Sequence, residues 1–236
     1  MFIVFAGACL FGEEPLTAVQ LLWVNLIMDT FAALALATEP PAETVLDRQP
    51  AAKSDVIVNS VMWRNILGQA LLQITVLLVL MYKVRDIFGI VYEDDDPFYP
   101  NAEDIAEHPE RTEWVLYEPT AKVEGYTIVF QTFVFMQLFN QINARKLGEK
   151  EYNVFSNFFN NFMFLAILVI TFAVQMLIVE FGGRYMRAYP LSMKDNGICA
   201  AIAFFTLIWG LILKCVPARW FEWIRLEEKE MTAQEE

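Results

Sequence analysis

The sequence predicts an all-α transmembrane protein with five full spanning helices plus a half-span, and three observations predict it. Apolar residues make up 56% of the 236 and the mean hydropathy is +0.38, whereas soluble domains sit nearer about 45–50% apolar. The apolar residues gather in stretches of 17 to 20, each long enough as a helix to cross a bilayer core. Polar residues inside those stretches recur three or four positions apart, so they share a helix face. An integral, multi-pass protein with the lipid bilayer as its first partner follows.

Residues 2–11, FIVFAGACLF, are apolar but only ten long, about 15 Å of helix and half of a bilayer core. A signal peptide would carry a basic region before its apolar run, and none precedes this one. Gly12 to Pro15 reads as a tight turn, with Glu13 and Glu14 suited to the positive end of the next helix. That helix, Leu22 to Thr38, ends before Pro40 and Pro41. Residues 39–62 read as a polar loop. The next span, Ile66 to Tyr82, carries Gly68, Gln69 and Gln73 on one face, the mark of a helix–helix contact.

A long acidic loop is expected at about 83–125. Its EDDDP run at 93–97 lacks the Gly and the distal Glu of a calcium loop, so it reads as a solvated charge run. His108 has no partner ligand nearby and reads as a surface residue. Tyr126 to Ile142 is an unusually polar span with Gln131, Gln137, Asn140 and Gln141. Phe162 to Phe181 follows, closed by Gly182 and Gly183, and then Gly197 to Leu213, with Lys214 placed to reach the interface. Residues 1–216 thus form a transmembrane domain, and 217–236 a short acidic tail.

The net charge of −12 comes mainly from that loop and tail and argues against a nucleic-acid partner. Lys and Arg divide ten to seven between the two sides, which puts the 39–62 loop and the C-terminus in the cytosol. Cys9, Cys199 and Cys215 lack ligand spacing and are expected as buried, unpaired thiols. The tail's WFEWIRL has aromatic anchors, but its surroundings are acidic, so calmodulin binding is not supported.

The stretch that carries chemistry is LWVNLIMDTFAALALAT, which reads as a span with a polar patch buried in its middle. Asn25 and Asp29 are four apart, and Met28 lies beside them. A carboxylate at that depth must pair, protonate or bind an ion; the competing reading is a hydrogen-bond clamp between helices. Asp29 offers a carboxylate and Asn25 an amide oxygen, both suited to a hard cation, whereas the Met28 sulfur is not.

VNLIMDT followed by LALATEPP, with PLTAVQLLW upstream, resembles the sixth transmembrane helix of the plasma-membrane-type calcium-transporting P-type ATPases. TIVFQTFVFMQLFNQINARK at 127–146, VQMLIVEFGG at 174–183 and LIWGLILKCVP at 207–217 resemble their eighth, ninth and tenth helices. The resemblance implies the C-terminal membrane bundle of a P-type cation ATPase, with residues 2–11 as the end of its fifth helix. It implies Asn25 and Asp29 as ligands of one transported calcium ion, in the plasma membrane or an intracellular vacuole-type membrane. Met28, Gln137 and Asn140 are placed beside the site or in helix packing. Gln137 stands where two-ion pumps have a Glu, and Met28 where they have a Thr.

The family's Pro-Glu-Gly-Leu break, its Asp-Lys-Thr-Gly-Thr phosphorylation motif and a phosphate loop do not occur in the sequence. No catalytic or nucleotide-binding residue is therefore expected in this chain. ATP and magnesium would act in the remaining domains of the pump, which are its expected partners. Either the chain is a fragment of such a pump, or it is a truncated, non-catalytic membrane scaffold or regulator. A related proton or monovalent-cation pump is the further alternative.

Overall fold

The computed structural model describes residues 15–38, 58–90, 120–146 and 158–217, with the isolated positions 7, 9, 154 and 220. The side chains of Met28, Asp29, Thr120 to Lys122 and Arg184 lie outside that description. So do the 39–57 segment, the acidic run with His108, the tail apart from Pro217 and Trp220, and most of the expected half-span.

The described secondary structure is helical throughout. Helix α1 (Ala18–Asn25) continues without a break into a π-helix (Leu26–Ala32) and then α2 (Ala33–Ala37). It is followed by α3 (Ser60–Phe88), α4 (Thr120–Ala144), a 3-10 turn (Phe158–Asn160), α5 (Phe162–Phe181), the short α6 (Gly183–Met186) and α7 (Met193–Cys215). Among the described residues, four runs are long and apolar enough to cross a membrane: Ala18–Ala37, Ser60–Phe88, Phe162–Phe181 and Met193–Cys215. Helix α4 has 25 residues, about 37 Å and thus sufficient length, but it is too polar to join them. Its polarity is turned inward, because Thr127, Gln131, Thr132, Gln137, Gln141 and Asn143 are all buried. A helix shielded from lipid has no need of an apolar surface.

Several helices outrun the spans expected from apolarity. Helix α3 extends through Lys83, Arg85 and Asp86 to Phe88, and α4 begins at Thr120, so helix occupies both ends of the expected 83–125 loop. Apolarity stops at the membrane edge, whereas the backbone ladder continues as long as the side chains tolerate it. Helix α1 likewise starts four residues ahead of Leu22, on a capping box. The Thr17 N–H donates to Gln20 Oε1 at 2.9 Å, and the Gln20 N–H donates to Thr17 Oγ1 at 3.3 Å. Helix α5 ends at the expected glycines, where Gly183 adopts a φ of +41°.

The chain divides into two compact units. The first comprises Met1–Val24, Ile74–Val134 and Ala173–Ala201. Its buried residues include Leu77, Leu80, Ile128 and Phe130, crossed by a line of hydrogen-bonded side chains from Trp23 to Asn196. The second comprises Asn25–Gln73, Phe135–Phe172 and Ile202–Glu236. Its apolar cluster is Ala35, Ile142, Phe158, Phe164, Ile167 and Leu207. The Arg145 guanidinium caps that cluster, 4.9 Å from the Phe164 ring and 5.3 Å from the Phe158 ring.

Two expectations about single residues fail. Cys199 is buried, but Cys9 and Cys215 are free thiols on the protein surface. Lys214, expected to reach the interface, is buried. The cysteine difference has a plain cause: hydropathy marks a residue as inside the membrane slab, not as inside the protein.

Candidate functional site

The helix that carries Asn25 and Asp29 changes its hydrogen-bonding pattern where they occur. Asn25 is the last residue of α1, and the backbone of Met28 and Asp29 lies in the middle of the π segment. Seven residues of π-helix exceed the single-turn bulge that is the usual form, and such widened turns concentrate at functional sites. The α-helix resumes at Ala33, whose N–H donates to the Thr30 carbonyl three residues back in a tighter, 3-10-type bond, and Thr38 Oγ1 closes the run on the Ala35 carbonyl at 2.9 Å.

Asn25 is exposed rather than buried in a patch, and so is Thr30. The side chains of Met28 and Asp29 lie outside the described residues. Among the described residues no three His, Cys, Asp or Glu side chains converge as a metal site.

Gln137 and Asn140 belong to a separate feature of the second unit. Both line a cavity of about 430 Å3, together with Asn65, Gln69 and Gln73 from α3 and Asn143 from α4. Asn25 is not among its lining residues. Gln137 Nε2 donates to Gln73 Oε1 at 3.0 Å, so these amides tie α4 to α3. The helix-contact reading is visible as bonds at Gln73 and at the Gly68 carbonyl, whereas Gln69 Oε1 is buried without a hydrogen-bond partner. The Trp209 indole N–H donates to the Gly68 carbonyl at 2.9 Å, and the Leu213 side chain lies where a Gly68 Cβ would be. Asn143 Nδ2 donates to the Thr206 carbonyl at 2.9 Å, which leaves its Oδ1 buried without a partner.

Trp23, Gln131 and Gln175 lie in three separate spans of the sequence, and the structure joins them. The Trp23 indole donates to Gln175 Oε1 at 2.8 Å, and Gln175 Nε2 to Gln131 Oε1 at 2.8 Å. Their signal in the sequence was the cost of an amide inside an apolar span, which requires a partner without naming it. The π segment had no signal that composition or periodicity could report. The capping box did, in the Thr-x-x-Gln spacing of TAVQ.

A family model described as "Cation transporting ATPase, C-terminus" matches residues 13–216. Among similar proteins, "Plasma membrane calcium-transporting ATPase 2" of Oreochromis mossambicus is 41% identical over 218 residues, 92% of this chain and 18% of that protein. "Plasma membrane calcium-transporting ATPase 4" of Homo sapiens is 40% identical over 226 residues, 95% of this chain and 16% of that protein. "Plasma membrane calcium-transporting ATPase 1" of Gallus gallus is 42% identical over 218 residues, 92% of this chain and 16% of that protein. The chain therefore spans less than a fifth of the length of these relatives.

Proposed function

We propose, for a chain that belongs to the family of cation-transporting ATPase C-terminal domains, that it supplies part of a transmembrane calcium site and the helical scaffold around it. The activity served is ATP-driven calcium export. The observation that carries this reading is the π-helical segment Leu26–Ala32, which falls on the residues singled out by their chemistry. Widening a helix displaces backbone carbonyls from their α-helical partners, and a hard cation takes about six to eight oxygens. Asn25 contributes an amide oxygen and Asp29 the negative charge. The Met28 sulfur is a poor ligand for calcium, which favours a single ion.

Exposure of Asn25 agrees with a site closed by parts of the pump outside this segment, since an amide facing lipid alone would be costly. ATP and magnesium act in those other parts. The Gln137–Gln73 bond supports a packing role for Gln137. The excess of Lys and Arg on one side supports a cytosolic C-terminus, and the relatives' names support a plasma-membrane location.

The test is a chimaera in which residues 13–216 replace the matching segment of the human relative. Asp29→Asn should abolish its calcium-dependent phosphorylation by ATP at unchanged protein level. Transport at near wild-type calcium affinity in that variant would make Asp29 a structural residue and remove the reading.

A further inference from the structure

Four side chains of the first unit, each from a different helix, form one directed line of hydrogen bonds. Trp23 Nε1 donates to Gln175 Oε1 at 2.8 Å, Gln175 Nε2 to Gln131 Oε1 at 2.8 Å, and Gln131 Nε2 to Asn196 Oδ1 at 2.9 Å. Asn196 Nδ2 then donates to the Leu191 carbonyl at 3.1 Å. An indole nitrogen can only donate, so Trp23 sets the direction of the line and each following amide has one allowed orientation. Gln131 and Gln175 are both 0% exposed, so no water competes for these bonds. Gln20, three residues before Trp23, donates its Nε2 to the Met186 carbonyl at 2.9 Å. Positions three apart share a helix face. Helix α1 is thus tied twice on one face, and two ties on one face prevent rotation about its axis.

Asn25 lies two residues beyond Trp23 on this same helix, immediately before the π segment begins. We propose that Gln175 is a positioning residue for ion binding: by holding the Trp23 indole it fixes the rotation of α1 and thereby the direction in which Asn25 enters the ion site. This rests on the calcium-site reading above. Without the tie, α1 samples orientations in which Asn25 misses the ion, and the population competent to bind falls.

The chimaera described above tests it. Trp23→Phe keeps the apolar body and deletes the donor; Gln175→Leu deletes both bonds of the amide. Each should raise the calcium concentration for half-maximal phosphorylation about fivefold, the equivalent of roughly one net hydrogen bond, with the maximal phosphoenzyme level per folded chain unchanged. Gln175→Glu should restore the half-maximal concentration, because a buried, protonated carboxyl accepts from Trp23 through one oxygen and donates to Gln131 through the other. If thermal stability falls in the variants that accumulate but half-saturation stays put, the line is structural and the proposal is wrong. If neither Trp23→Phe nor Gln175→Leu accumulates, the line is a folding element and the proposal is equally wrong. The Asp29→Asn variant reports separately on the underlying reading: calcium dependence that survives it removes the site, whatever the Trp23 variants do.

Discussion

Gln137 and Asn143 show how one kind of side chain serves different ends. Gln137 donates to Gln73 and so links α4 to α3 within the second unit. A single bond of this kind in a membrane bundle is worth about 0.6 kcal/mol on average and seldom more than about 1.7. Gln137→Ala should therefore lower thermal stability by about 1 kcal/mol and leave the calcium dependence of the chimaera's phosphorylation nearly unchanged. A large loss of calcium affinity at unchanged protein level would place Gln137 against the ion instead. Asn143 has its orientation set by the Thr206 carbonyl, so its unpartnered oxygen cannot be relieved by turning the amide over.

Between elements, α4 and α7 approach closely because Gly210 has no side chain. A methyl group there would fall 2.6 Å from Asn143 Cγ, against an amide already held by the Thr206 carbonyl. Gly210→Ala should break that bond or push the helices apart, at a cost of about 1–3 kcal/mol. The melting midpoint of the detergent-solubilised protein should fall by several degrees, at about 2–4 °C per kcal/mol for a chain of this size. An unchanged midpoint would show that the Asn143 side chain can turn aside freely. In α1 to α2 the contrast is between a regular start and an irregular middle. The capping box satisfies the first N–H groups of the helix and the double tie through Gln20 and Trp23 holds its first turns, whereas α geometry is departed from at Leu26–Ala32.

For the whole molecule, the ligand count decides what the chain can do unaided. On the proposed reading Asn25 and Asp29 supply two donors, while calcium requires about six or more oxygens. Residues 1–236 expressed alone should insert into a membrane and bind calcium no better than about millimolar. Calcium titration of the solubilised chain at about physiological salt, beside its Asp29→Asn variant, checks this; the salt screens weak association with the acidic 86–125 stretch. Micromolar binding that Asp29→Asn abolishes would mean that the site is complete within these residues.

By itself the sequence determined the class and the helices, because apolar length and the spacing of polar residues are local properties that any stretch displays without its neighbours. It marked Gln69 and Gln73 as a helix-contact face and the span with Gln131 and Gln137 as unusually polar, because an unpaired amide inside a membrane is costly wherever it ends up. It marked Asn25 and Asp29 by the chemistry of their side chains. Which amide meets which was decided only by the tertiary structure: Trp23 finds Gln175 across 152 positions and Gln137 finds Gln73 across 64. Tertiary structure also decided that Cys9 and Cys215 lie outside the protein while Lys214 lies inside. In a bilayer an apolar residue is equally at home against lipid or against another helix, so hydropathy cannot separate the two. The π segment belongs to the same category, since neither apolar length nor polar spacing reports a change of backbone bonding at Leu26–Ala32.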